Sequence, residues 1–310
     1  MTTNEPDLTD AKVQLAISLA AIDSACAGNE NGPLIAAKCR GLMRGYHARW
    51  KDAGYRALTV DQIVTTNLYN PATNGRSRSF SLAGLLDVVA QIHGRRVLVD
   101  HKTTSQDITD PNGPYWRQLV VEGQASHYML LEWLNGRKLD TAMWDVVRKP
   151  QIAPKKLTKP ERASVVAEGQ YFSQRISDAS RLALQTDDRE TPELYEARLA
   201  HDCTVERPDW FFQRRYVPRL DAELLEYAAE IWQHSKDILY TRKQALPPRN
   251  SGACMLYGSP CVYLGICSGH DTADSDRWQK KSASHPELPA IENGKQLLPN
   301  SRIRTFQPCR

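Results

Sequence analysis

The stretch LLDVVAQIHGRRVLVDHKTT, residues 85–104, constrains this chain more than any other. Its two apolar runs flank His93-Gly94-Arg95-Arg96, so they read as buried strands joined by a hairpin. A charge inside such a run is costly unless it is paired or holds a metal. Yet the first run carries Asp87 and the second ends Asp100-His101-Lys102. Gly94 at the first central position predicts a type II′ turn with Gly94 and Arg95 as the loop. His93 then faces Arg96, Asp87 lies across from Lys102, and Asp100 sits diagonally from Asp87 on the same face. Two readings are open at this point. One is a cross-strand salt bridge on a solvated face; the other is a pair of carboxylates that repel each other unless a cation intervenes. Oxygen donors on a rigid edge suit Mg²⁺ or Mn²⁺, and a lysine beside a metal-bound water can orient that water for attack on phosphorus.

The pattern around the hairpin predicts an α/β protein with a central mixed sheet flanked by helices. Helices are expected over 9–25, with Thr9 or Asp10 as cap, and over 33–52; an extended segment over 57–69; and a loop over 70–78. Strands at 80–92 and 96–103 follow, then a helix over 116–136 ending at Asn135-Gly136 and a strand over 138–150 closed by Pro150. Residues 155–202 read as charged helices broken near TDDRETPE, 209–218 as a short strand, and 220–245 as a long amphipathic helix. The corresponding divisions are N-terminal helices (1–54), a core (55–150), a mainly helical addition (151–245), a cysteine segment (246–270) and a polar mobile tail (271–310).

Here the residues resemble a family. GLLDVV followed by VLVDHK is similar to the Gly-x-x-Asp and Asp-x-Lys core of the PD-(D/E)XK nuclease superfamily, and specifically of its RecB-type exonuclease branch. RGYHARW offers His47 where that branch carries a histidine on a helix before the first core strand. GQASHY supplies Gln124 and Tyr128 where it carries Gln-x-x-x-Tyr on the helix after the lysine strand. The resemblance spans about residues 40–150 and implies a restriction-endonuclease-like core. It implies that Asp87, Asp100, the backbone carbonyl of His101 and the imidazole of His47 ligate a divalent metal, and that Lys102 positions the attacking water. Gln124 and Tyr128, four apart on one helix face, would border the active site and DNA. Taken singly, His47 also reads as a surface histidine, Gln124 and Tyr128 as a half-buried stripe, and Thr103 and Thr104 as β-formers.

Seven cysteines occur, and CMLYGSPCVYLGIC gathers Cys254, Cys261 and Cys267. Grouped thiolates suit zinc or an iron–sulfur cluster, each of which takes four ligands, and the C-x2-C pair usual for zinc modules is absent. The segment is similar to the C-terminal iron–sulfur staple of RecB-type nucleases such as AddB and the CRISPR-associated exonucleases. There, three C-terminal cysteines join one far upstream. The first spacing departs from that pattern, with C-x6-C where the family has C-x2-C. The resemblance implies a structural 4Fe-4S cluster on Cys254, Cys261 and Cys267. Cys26 is the preferred fourth ligand, with Cys39, Cys203 and Cys309 as alternatives.

A net charge of +4 is only mildly basic, compatible with a nucleic-acid partner without requiring one. QRRYVPR (213–219) and RGYHARWK mix cations with aromatics, as strand-stacking surfaces do. No apolar run reaches the ~18–20 residues of a membrane span. The polar start MTTNEPDLTDAKVQ is unlike a secretory signal, so a cytoplasmic location without membrane contact is expected. The expected function is a metal-dependent DNA exonuclease of recombination, repair or end processing, encoded by a phage or mobile element. The phage or mobile-element origin is suggested by a small chain with no G-x-x-x-x-G-K-[ST] motif, and a recombinase, single-strand annealing protein or helicase would be a natural partner, although the sequence names none. The alternatives are a catalytically inactive DNA-binding or scaffolding subunit of the same fold, and a restriction-type endonuclease.

Overall fold

The computed structural model describes residues 11–53, 55–244, 249–255 and 259–280. In chain order the elements are α1 (Ala11–Cys26), α2 (Gly32–Trp50), β1 (Tyr55–Tyr69), β2 (Arg76–Ile92), β3 (Arg95–Thr104), α3 (Pro114–Val121), α4 (Gln124–Leu134) and β4 (Thr141–Arg148). There follow α5 (Lys159–Glu168), the two-residue strands β5 (Gln170–Tyr171) and β6 (Gln174–Arg175), α6 (Asp178–Thr186), α7 (Pro192–His201), α8 (Pro208–Phe211), β7 (Phe212–Val217), α9 (Asp221–Arg242) and α10 (Leu264–Ser268). A π-helical turn, Asp202–Glu206, extends α7.

The protein is therefore α/β, with a mixed five-stranded sheet in the order β1-β2-β3-β4-β7. β3 runs antiparallel to β2 and parallel to β4, and β7 is antiparallel to β4. The parallel β3–β4 step needs a crossover, which α3 and α4 supply. No helix among the described residues is long and apolar enough to cross a membrane.

The described residues form two compact units, one drawn from 1–62, 86–125 and 139–218, the other from 63–85, 126–138 and 219–310. In the first, α2 lies against α7 and the π turn through small residues four apart. A Cβ on Gly41 would meet Leu199 at 3.1 Å, and one on Gly45 would stand 2.4 Å from the Cys203 Cβ. Beside that seam Arg40 and Arg44 both donate to the Glu196 carboxylate, at 2.6 and 2.9 Å. The seam buries Ala37, Tyr195, Leu199, Cys203, Phe211 and Phe212 together. It thereby fixes how α2 presents its last two turns to the sheet.

In the second unit, a Cβ on Gly84 would come within 2.7 Å of the Tyr128 ring and 2.8 Å of Leu131. The glycine of the Gly-x-x-Asp motif is thus where α4 crosses β2. Within the segment 271–280, Trp278 stacks on Tyr263 with ring centroids 5.5 Å apart and donates its indole N–H to Asp271 at 3.0 Å. The remainder of the expected tail, Thr9, Asp10 and Cys309 lie outside the described residues.

Three local expectations are corrected. The loop over 70–78 is shorter, because β2 already begins at Arg76. The helix over 116–136 is two helices, α3 and α4, parted at Glu122-Gly123. The strand at 209–218 begins as a helical turn, α8, before β7.

Candidate active site

The β2–β3 turn differs from the expected one. His93 and Gly94, not Gly94 and Arg95, form the loop, both with positive φ (48° and 78°), the backbone of a type I′ turn. Histidine is among the few side chains that enter this region with any frequency. The recorded pairs accordingly run from Ile92–Arg95 to Val88–Val99, one loop residue earlier than expected. Asp87 does not lie across from Lys102. Its Oδ2 instead accepts the His101 backbone N–H at 2.8 Å, just past the last recorded pair.

Asp100 and Lys102 alternate with Val99 and His101 along β3, so they share one face of it. Asp100 is 3% exposed. Its Oδ2 takes the Lys102 ammonium at 3.0 Å, and the same ammonium donates to Gln124 Oε1 at 2.5 Å. It also stands 4.7 Å from the centre of the buried Trp144 ring, on the register partner of Asp100. Burial pushes the Asp100 carboxyl above the ordinary carboxylate range. The Lys102 hydrogen bond and charge oppose that rise, and the negative charges of Asp87 and Glu122 reinforce it. Tyr115 is pushed up to about 12 by burial and then by Glu122 and Asp100. One ammonium thus answers two carboxylates, Asp100 and Glu122, and Asp87 adds its negative charge to Asp100. All these residues belong to the first unit.

The other face of β3 and β4 holds a second buried acid. Asp145, fully buried, is the register partner of His101. Its Oδ2 accepts from Tyr46 Oη at 2.5 Å and from Arg214 Nε at 2.9 Å, with His101 Nδ1 3.7 Å away. Arg214 also donates to Tyr46 Oη at 2.9 Å and lies over the Trp50 ring, 4.2 Å from its centre.

Of the residues singled out from sequence, Asp100, Lys102 and Gln124 are directly bonded, and Asp87 joins them through the His101 amide and its charge. Tyr128 lies one turn along α4 from Gln124 and packs at Gly84. His47 lies in the last turn of α2. Its neighbour Tyr46 ties α2 to Asp145, on the face opposite Asp100 and Lys102, and no described hydrogen bond or ion pair involves the His47 imidazole. Glu122, Trp144, Asp145, Tyr46 and Arg214 were missed. An aspartate inside TAMWDVVR is the same signal that flagged Asp87, a charge where only apolar residues belong.

Among the cysteines, Cys261 N–H donates to the Cys254 carbonyl at 2.8 Å, and Leu264 at the start of α10 donates to the Cys261 carbonyl at 2.9 Å, leading to Cys267. These belong to the second unit, while Cys26, Cys39 and Cys203 belong to the first. Burial, then the nearby Cys26, pushes the Cys39 thiol up. Burial pushes Cys203 up far more, and it packs beneath Gly45, which suits a protonated core thiol rather than a ligand. Among the described residues no three His, Cys, Asp or Glu side chains are gathered closely enough to hold a metal ion.

Compared with known proteins, the chain matches no protein-family model and no curated protein.

Proposed function

We propose that this protein is a divalent-metal-dependent DNA nuclease with a restriction-endonuclease-like core, acting as an exonuclease in recombination, repair or end processing. The observation that carries the reading is the excess of negative charge around Lys102: buried Asp100, with Asp87 and Glu122 near enough to raise its pKa, against a single ammonium. A buried acid flanked by two further acids and paired with one lysine fits a divalent ion. Asp87, Asp100 and the His101 carbonyl would hold Mg²⁺ or Mn²⁺, leaving the other positions to water and phosphate oxygens. When bound, the ion supplies Lewis acidity toward a phosphoryl oxygen.

The chain's own residues do the rest. Lys102 holds and orients a water for attack on phosphorus, and Gln124 fixes the ammonium by accepting a hydrogen bond from it. Trp144 closes the floor beneath them and excludes bulk water. End-labelled linear DNA, incubated with Mg²⁺, is expected to shorten while circular DNA persists, and chelation or Lys102→Ala is expected to stop it. Undiminished cleavage by Lys102→Ala would remove the assignment. For the second unit we propose that Cys254, Cys261 and Cys267 ligate a 4Fe-4S cluster. Anaerobically purified protein would then absorb near ~400 nm, whereas stoichiometric zinc would redirect the reading.

A further inference from the structure

The break between α3 and α4 has a consequence for Lys102. In an unbroken helix, residues two apart point about 200° away from each other, so Glu122 and Gln124 could not serve one partner. Here α3 ends at Val121, Glu122 adopts extended backbone (φ −67°, ψ 128°), Gly123 follows, and α4 restarts at Gln124. Both side chains then converge on Lys102, Gln124 Oε1 accepting at 2.5 Å and Glu122 Oε1 standing 3.9 Å from Nζ. The Glu122 contact is an ion pair short of a hydrogen bond. Its side chain is 38% exposed, so it has room to close the gap. The ammonium carries three protons, and the contacts to Asp100 and Gln124 use two.

We propose that Glu122 is a positioning residue. It keeps the Lys102 ammonium at the site when the Asp100 carboxylate turns to a divalent ion. The inference rests on the nuclease reading above. A cation on Asp100 takes away the lysine's principal counter-charge and repels it as well. Gln124 offers a neutral acceptor only. Glu122 supplies the negative charge that lets the ammonium stay within reach of the attacking water, and the helix break exists to deliver it.

The test compares wild-type protein with Glu122→Gln and Glu122→Asp in three measurements. These are kcat and KM on linear DNA, Mg²⁺ binding by calorimetry without DNA, and acetylation of Lys102 by an amine-reactive ester, read by mass spectrometry with and without Mg²⁺. Glu122→Gln is expected to lower kcat by about 10- to 100-fold, the scale for supporting residues at metal sites. KM and Mg²⁺ affinity should change little. Mg²⁺ should speed Lys102 acetylation in Glu122→Gln and not in the wild type, and Glu122→Asp should recover part of kcat. Unchanged kcat with wild-type labelling would overturn the inference. So would a fall in Mg²⁺ affinity of about 10-fold or more, which would make Glu122 a ligand. Wild-type protein that binds no Mg²⁺, or Lys102→Ala that cleaves at the wild-type rate, would instead remove the nuclease reading, and this inference with it.

Discussion

Two aspartates, Asp100 on β3 and Asp145 on β4, sit on neighbouring strands of one sheet, both buried, on opposite faces. Asp145 is matched in charge: one carboxylate, one guanidinium, and a tyrosine hydroxyl that bonds to both through Oδ2, while its buried Oδ1 has no hydrogen-bond partner among the described residues. The aromatic rings of Tyr46, Trp50 and Tyr55 wall in that guanidinium. Asp100 is mismatched, sharing its lysine with Glu122 while Asp87 adds a further negative charge. Burial alone therefore does not separate scaffold from site, since both acids have it. Charge balance does. A closed pair resists change, whereas an open one is a standing demand for a cation.

If the contrast is right, the same kind of substitution should do opposite things on the two faces. Asp145→Ala should cost about 3–5 kcal/mol of stability, because it strands the buried Arg214 without a counter-charge. Urea unfolding measures it, and a loss near zero would erase the distinction. Asp100→Asn should instead leave the fold intact and reduce Mg²⁺-dependent DNA cleavage by at least about 100-fold, the scale of a lost catalytic proton or water arrangement. Tyr46→Phe removes both hydrogen bonds that the hydroxyl makes to the closed pair and should cost at least about 2 kcal/mol, the range for bonds to charged groups. An equal loss of cleavage in Tyr46→Phe and Asp100→Asn would show the two faces to be one functional unit.

The open face was more legible in sequence than the closed one, and the reason is physical. Side chains alternate along a strand with period two, so an error of two in the pairing register leaves every residue on its own face. The expected pairing of His93 with Arg96 sums to 189 and the observed pairing of Ile92 with Arg95 sums to 187. Asp87 therefore stays on the face of Asp100 and Lys102 although the turn is I′ rather than II′. Gly94 alone does not decide the turn, because His93 also takes positive φ. The helix break escaped because apolar periodicity runs on through Leu119 to Met129; Gly123 was its one local sign. The closed pair joins Tyr46, Asp145 and Arg214, residues up to 168 positions apart, and no local pattern links them. The packing of α2 through Gly41 and Gly45, which positions the end of that helix, likewise joins segments that no local pattern links.

The subtlest consequence of the imbalance is a pH dependence of stability. Burial, with the charges of Asp87 and Glu122, raises the folded-state pKa of Asp100 above its ordinary value of 3.8. In the interval between that value and the raised one, the folded chain holds a proton that the unfolded chain has released, so wild-type stability falls as pH rises through it. Above the interval the loss is complete and constant; below 3.8 it vanishes. Asparagine does not titrate. The melting temperature of Asp100→Asn should therefore exceed that of the wild type at neutral pH, by a margin that closes as pH drops below 3.8. Adding Mg²⁺ at neutral pH should close it too, from the other side, by stabilising the wild type through binding that Asp100→Asn lacks. Asp145→Ala offers the control, because its deficit comes from an unpaired guanidinium and should not respond to Mg²⁺. Were Asp100→Asn the less stable protein at neutral pH, Asp100 would be a balanced partner of Lys102 like Asp145 of Arg214, and the case for a cation at this face would be lost.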